Sequence, residues 1–355
     1  MNRDCFPRLR GGRPAALLAM TYMGDDVTAW TRLRKQANRA RLIMKVRGKS
    51  PLDKAIEWVK SHRVPDSGIV VHHRTDRVTQ EVTGYLIPTL YNAGERQLAY
   101  DLARWEASVQ RADGGFVCPT ADVPYTFDTA QVMRGFLAVL DDLPELEGNL
   151  RRACDYVESH IGPDGEVRHD SYETWQVSDG GSFSPYCNLY VLPPLLEAGR
   201  RLSQPQYTEA VERSVAYFKC KPDLVTFKSE LGSLSHIFGY LLEALVDLGE
   251  IGLARKGLDQ AAAVQKSDGA IPAYPGVDWV CSTGMAQLAV AWWKIGEKEP
   301  AIRARKYLET IQNLSGGFYG SYGEGSQYLP NEEISWAAKY FIDLCLLTGE
   351  KPCLT

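Results

Sequence analysis

Gln110-Arg111-Ala112-Asp113-Gly114-Gly115-Phe116 is a turn that this chain writes more than once. It returns as Gln265-Lys266-Ser267-Asp268-Gly269-Ala270-Ile271 and as Gln312-Asn313-Leu314-Ser315-Gly316-Gly317-Phe318. Related marks stand at Pro65-Asp66-Ser67-Gly68, Pro163-Asp164-Gly165 and Pro222-Asp223. Together they recur about every fifty residues, and each leads into an apolar, helix-like segment. Six such units at one period predict an all-α (α/α)6 toroid of six helical hairpins, not an ordinary bundle. A toroid gathers the starts of its six inner helices around one shared cavity.

Between the turns the pattern is helical and of two kinds. The outer segments, such as Leu52 to Val59, Leu98 to Trp105 and Leu150 to Val157, repeat apolar residues at three and four and so bury one face. Ala210 to Tyr217, Gly252 to Val264 and Ala301 to Ile311 continue the set. The inner segments are apolar nearly all round, as a helix covered on both sides should be. They run Val82 to Ala93, Thr129 to Leu140, Asn188 to Ala198, His236 to Leu248, Thr283 to Ile295 and Trp336 to Leu347. Gly94, Gly199, Gly249, Gly296 and Gly349 follow as expected left-handed C-caps. Residues 1–22 are expected to be poorly ordered, and 23–355 to form a single toroid domain.

Bulk properties narrow the function. Apolar residues at 45% and charged residues at 24% are ordinary soluble usage. A net charge of −4 provides no basic footprint for nucleic acid. The eight cysteines are scattered without CxxC pairs, so reduced thiols and a cytoplasmic location are expected. No apolar run reaches the length of a membrane span. Asp, His and Cys do not cluster at ligand spacing, so neither a metal nor another cofactor is expected.

Aligning the six inner helices places polar and aromatic groups at each entrance. These are Glu81 with Tyr85; Asp128 with Gln131; Tyr186 with Asn188; His236; Ser282 with Gln287; and Trp336 with Lys339. The loops before them add His72-His73-Arg74, Tyr125, Trp175, Asp278-Trp279 and Tyr322. Capping by itself accounts for Asp128, Ser235, Ser282 and Ser335. It does not account for Glu81, His236, Gln287 or Lys339. A concave site of rings, carboxylates and hydrogen-bonding groups suits a carbohydrate, whose C–H faces stack on rings while its hydroxyls need polar partners. Glu81 and Asp128, at equivalent depth on neighbouring helices, form a candidate acid and base for glycosyl transfer. The structural alternative is a cap and a salt-bridged entrance residue. His236 reads as a proton shuttle or as a hydrogen-bonded cavity histidine. His72, His73 and Arg74 read as a grip for a substrate carboxylate or as a solvated loop.

Two resemblances bear on these motifs. The Gln-x-x-x-Gly turns resemble those of terpenoid cyclases and protein prenyltransferases. The Asp-x-Asp-Asp acid of squalene–hopene-type cyclases is absent. So is the prenyltransferase zinc set, because no histidine follows His236 to join Asp278 and Cys281. The second resemblance covers nearly the whole chain from about Pro65. It rests on Glu81-Val82-Thr83-Gly84-Tyr85-Leu86-Ile87-Pro88-Thr89-Leu90, Tyr125-Thr126-Phe127-Asp128-Thr129-Ala130-Gln131-Val132, Ser282-Thr283-Gly284-Met285-Ala286-Gln287 and Trp336-Ala337-Ala338-Lys339-Tyr340-Phe341. These resemble bacterial six-hairpin toroid proteins associated with polysaccharide biosynthesis, a group similar to unsaturated-glucuronyl hydrolases and, more distantly, to the helical domain of glucuronyl C5-epimerases. The resemblance implies an oligosaccharide or polysaccharide ligand containing uronic acid, with Asp128 as its functional carboxylate. The expected activity is glycoside hydrolysis, or C5-proton abstraction by a lyase or epimerase. The alternatives are a non-catalytic glycan-binding protein and an isoprenoid enzyme.

Overall fold

The computed structural model describes residues 29–118, 123–169 and 184–353. Among them are thirteen α-helices. The first, α1 (Ala29–Val46), is followed by α2 (Pro51–Ser61), α3 (Gln80–Asn92), α4 (Arg96–Val109), α5 (Thr126–Val139) and α6 (Glu147–Ser159). Then come α7 (Leu192–Arg201), α8 (Pro205–Lys219), α9 (Ser235–Asp247), α10 (Ile251–Val264), α11 (Ser282–Lys294), α12 (Lys298–Ile311) and α13 (Ser335–Leu347). The odd-numbered helices from α3 form the inner ring, and α13 packs back on α3 to close it. The even-numbered helices form the outer layer. The last inner helix takes its outer partner from the start of the chain, since α13 packs on α2. The fold is the expected (α/α)6 toroid, with α1 as an additional helix lying against α2 outside the twelve. No helix among the described residues is long and apolar enough to cross a membrane.

The recurring turn has a physical cause. Gly114, Gly165, Gly269 and Gly316 have φ between +90° and +97°, where glycine carries no Cβ penalty. Each also presses on the next outer helix. A Cβ would overlap the backbone carbonyl of Arg152 at Gly114, Arg213 at Gly165, Arg303 at Gly269 and Lys54 at Gly316. At all but Gly165, a glutamine four residues earlier ties the same joint. Gln110 Nε2 donates to Gly114 O (3.0 Å) and to Asn149 O (2.9 Å). Gln265 bonds Gly269 O and Pro300 O, and Gln312 bonds Gly316 O and Pro51 O. The motif is therefore a hairpin-to-hairpin clamp. Its last copy lands on α2 and seals the ring.

Several local expectations are corrected. The third inner element opens as a 3₁₀ helix, Pro185–Val191, before α7, because Pro193 and Pro194 at the helix start remove two backbone donors. Gly199 is not a C-cap: α7 continues through it to Arg201, and Ser203 takes the left-handed φ of +53° instead. The residues assigned to capping lie inside the helices. Tyr125, Leu234, Cys281 and Ile334 hold the N-cap positions, and Asp128, Ser235, Ser282 and Ser335 follow in the first turn. Two short antiparallel ladders, Val117–Cys118 with Val123–Pro124 and Val280–Cys281 with Ser321–Tyr322, brace loops on the side where the inner helices begin.

Candidate active site

Glu81 and Asp128 open neighbouring inner helices, in the first turns of α3 and α5. Glycine brings these helices together: a Cβ on Gly84 would meet the Val132 backbone, and one on Gly135 the Gly84 carbonyl. Both carboxylates are buried, at 6% and 3% exposure. Burial and, second, the charge of Asp128 push the Glu81 carboxyl well above the usual carboxylate range. Its proton is therefore held to higher pH than that of an ordinary carboxyl. Glu81 is not the salt-bridged entrance residue of the structural alternative, since no ion pair reaches it among the described residues.

A third carboxyl, Glu106, joins them from α4. It is fully buried, and neither oxygen has a hydrogen-bond partner. Burial and, behind it, Asp128 raise its pKa strongly. The sequence reading missed it, although the signal was present. Ala99, Leu102, Ala103 and Glu106 form one helical stripe, and a glutamate in an apolar stripe is anomalous.

Rings fill the space around Glu81. Tyr240 and Tyr328 both lie within reach of its charge. The Tyr240 ring stands 5.1 Å from Phe127, 4.7 Å from Tyr190 and 6.3 Å from Tyr340. Tyr190 and Tyr340 share a 2.8 Å hydroxyl contact. Trp336 Nε1 donates to the Tyr328 hydroxyl at 2.9 Å. His236 packs between Tyr240 (4.5 Å) and Tyr328 (5.8 Å), and its Nδ1 meets Gln287 Oε1 at 2.6 Å. Burial lowers the His236 pKa to about 4 against the opposing Gln287 bond, so the imidazole is neutral. Of its two readings, the structure supports the hydrogen-bonded cavity histidine. Lys339 sits 3.6 Å above the Tyr340 ring and 5.5 Å from Tyr85, and it pairs with Asp343 at 2.9 Å.

The remaining predicted residues disperse. His73 Nδ1 accepts from Glu333 N at 2.9 Å, Arg74 pairs with Glu332 at 3.5 Å, and His72 forms a backbone bridge with Ile334. This segment joins two loops, and His73 lines a groove of about 340 Å³ between α1 and the end of α2. Tyr125 stacks on His169 at 4.9 Å. Gln131 accepts from Arg134 Nε at 3.1 Å, and Asn188 is buried beside Cys187. The Tyr186 hydroxyl donates to Asp223 at 2.5 Å, and Asp278 is solvent-exposed and paired with Lys266. Trp279 packs edge-on against Tyr274, and the Tyr322 hydroxyl accepts from Tyr319 N at 2.8 Å. Trp175 lies outside the described residues. The structure thus groups Glu81, Asp128, Tyr85, His236, Gln287, Trp336 and Lys339 with Glu106 and the interior tyrosines.

No protein-family profile and no curated protein matches the sequence. Solved structures do match the fold. An unsaturated glucuronyl hydrolase specific for heparin superposes with a TM-score of 0.62 at 11% identity, covering 88% of this chain and 97% of that one. A polysaccharide lyase gives 0.57 at 13% identity, covering 88% and 99%. A type II terpene cyclase from Scytonema gives 0.55 at 12% identity, covering 89% and 98%. At these identities the similarity is one of fold, and the chain has the toroid of six-hairpin glycan-processing enzymes and of terpene cyclases.

Proposed function

We propose that the chain is a carbohydrate-active enzyme that hydrolyses a glycan containing uronic acid, with Glu81 as general acid and Asp128 as general base. The observation that carries this reading is the pairing itself. Two buried carboxyls open adjacent inner helices, and burial, with the charge of Asp128 behind it, raises the pKa of Glu81. That is the division of labour glycoside hydrolysis requires. Glu81 donates its proton to the departing glycosidic oxygen as the C–O bond breaks. Asp128 takes a proton from the water that adds to the anomeric carbon. Tyr240, Tyr328 and Trp336 offer ring faces to the sugar, and neutral His236, held by Gln287, offers a hydrogen bond to a hydroxyl.

The same interior supports a second reading. A protonated carboxyl among the rings of Phe127, Tyr190, Tyr240 and Tyr340 also suits protonation of an isoprenoid alkene, since ring faces stabilise cations. The first experiment is incubation with uronate oligosaccharides in water enriched in oxygen-18, with Glu81→Gln and Asp128→Asn in parallel. A labelled reducing end, lost by at least about 100-fold in both variants, supports hydrolysis. Solvent deuterium at C5, or an unsaturated end, assigns epimerase or lyase chemistry instead. Turnover of a polyprenyl substrate with none of any glycan selects the second reading. Ligand binding without turnover makes the protein a glycan binder.

A further inference from the structure

The outermost helix carries a surface that the toroid does not use. The inward face of α1 holds Leu42 and Val46, both buried, with Lys35 bonded to the Thr75 carbonyl and Arg39 to Glu333. The opposite face runs Leu33, Ala37, Ala40 and Met44, all exposed and spaced four, three and four residues apart. That spacing makes one continuous stripe along the helix. Leu33 is 57% exposed and Met44 67%, among the few large apolar side chains left open to solvent. Arg34, Arg41 and Lys45 border the stripe on one side and Arg32 on the other, and α1 contains no acidic residue. This basic helix belongs to a chain of net charge −4.

We infer that α1 docks the protein on an anionic lipid surface, with Leu33, Ala37, Ala40 and Met44 entering the headgroup boundary and the bordering arginines and lysine meeting lipid phosphates. An apolar stripe flanked by cations is the arrangement that binds in the plane of a bilayer. Charge decides among the possible occupants. A second copy packed stripe to stripe would oppose two basic borders. The chain's own residues 1–28 carry Arg3, Arg8, Arg10 and Arg13 against Asp4, Asp25 and Asp26, so they bring no net negative charge to the border. An anionic bilayer neutralises the border. Arg34 and Lys45 also pair with Asp76 and Glu57, but their side chains are 61% and 60% exposed, so both can reach a surface. The inference is independent of the reaction inside the ring.

Vesicle flotation of the full chain tests it. The protein should float with vesicles of phosphatidylglycerol and phosphatidylcholine, not with phosphatidylcholine alone, and added salt should release it. Leu33→Ser combined with Met44→Ser should abolish flotation, and Arg41→Gln should weaken it about five-fold. These side chains are exposed, so circular dichroism and the thermal midpoint should match the parent protein. Absence of flotation with anionic vesicles overturns the inference, as does undiminished flotation of the double variant. A dimer in sedimentation that the double variant dissolves would assign the stripe to a second copy instead.

Discussion

Glu106 carries a carboxyl where every neighbour on its helix face is apolar, and its charge state governs its effect on the fold. Its pKa in the folded chain is raised by burial and by Asp128. A carboxyl of this kind adds no penalty below its unfolded value of about 4.3, and its cost to stability builds as pH rises from there toward the raised value. Glu106→Gln should therefore change urea stability little at pH 4 and increase it at pH 7. Equal losses at both pH values would mean that the site depends on the ionised form. Gly114 offers a backbone test. Gly114→Ala meets both the positive φ and the Arg152 carbonyl, and should cost on the order of 3 kcal/mol. Gly249→Ala has a comparable φ and open space, and should cost only about 1 kcal/mol. Similar midpoint shifts for the two in denaturant titration would remove the close approach as the reason for the repeated glycine.

At the scale of elements, the joint between the ends of the chain centres on Glu333, in the loop before α13. This fully buried carboxylate accepts from Arg39 (2.6 Å) on α1, Trp58 Nε1 (2.9 Å) on α2, and Asn313 (3.0 Å) and Ser315 (2.6 Å) in the last clamp. Burial raises its pKa, and the bonds from Arg39, Ser315 and Trp58 outweigh that and hold it below the usual carboxylate range. One residue thus couples α1, α2 and the approach to α13. Glu333→Ala should cost about 3 kcal/mol, because it strands several buried donors at once. Hydrogen exchange should show faster opening of α2 and α13 than of α5 and α6. Uniform acceleration would place the ring's weak point elsewhere. Outer helices α2 and α6 also end alike. Ser61-His62 and Ser159-His160 each fold the imidazole back on the preceding turn, with Nδ1 at 2.7 Å from Trp58 O and 2.8 Å from Tyr156 O. The His62 ring stacks on Trp58 at 4.0 Å, and the His160 ring lies tilted against Tyr156 at 4.3 Å.

At the scale of the molecule, His62, His73 and His236 determine the response to acid. Burial lowers all three to a pKa of about 4. The folded values lie below the unfolded value near 6.5, so the stability these groups confer is present above 6.5 and is lost as pH falls toward 4. Each contributes a slope of about 1.4 kcal/mol per pH unit in that window. Denaturation measured from pH 7 to pH 4.5 should follow this decline, and proton NMR should show no histidine of the three titrating near 6.5. A flat profile would mean that these imidazoles titrate as exposed groups do.

The toroid was legible because its cause is local. A glycine needing positive φ, a glutamine four residues before it and an apolar helix after it are written in contiguous sequence, and copying them at one period determines how each hairpin meets the next. That Glu81 and Asp128 stand at the entrances of neighbouring inner helices followed from the same alignment. What the sequence did not show depends on atoms far apart in the chain. The sealing of the ring by Gly316 on α2, the burial of Glu106 beside Asp128 from a different helix layer, and the dispersal of Arg74, Tyr186 and Asp278 to partners of their own are all set by three-dimensional packing. Periodicity determined which elements form and in what order. Only tertiary structure decided which polar groups lose their water, and that loss of solvation raises the pKa of a glutamate and turns a histidine into a neutral hydrogen-bonding group.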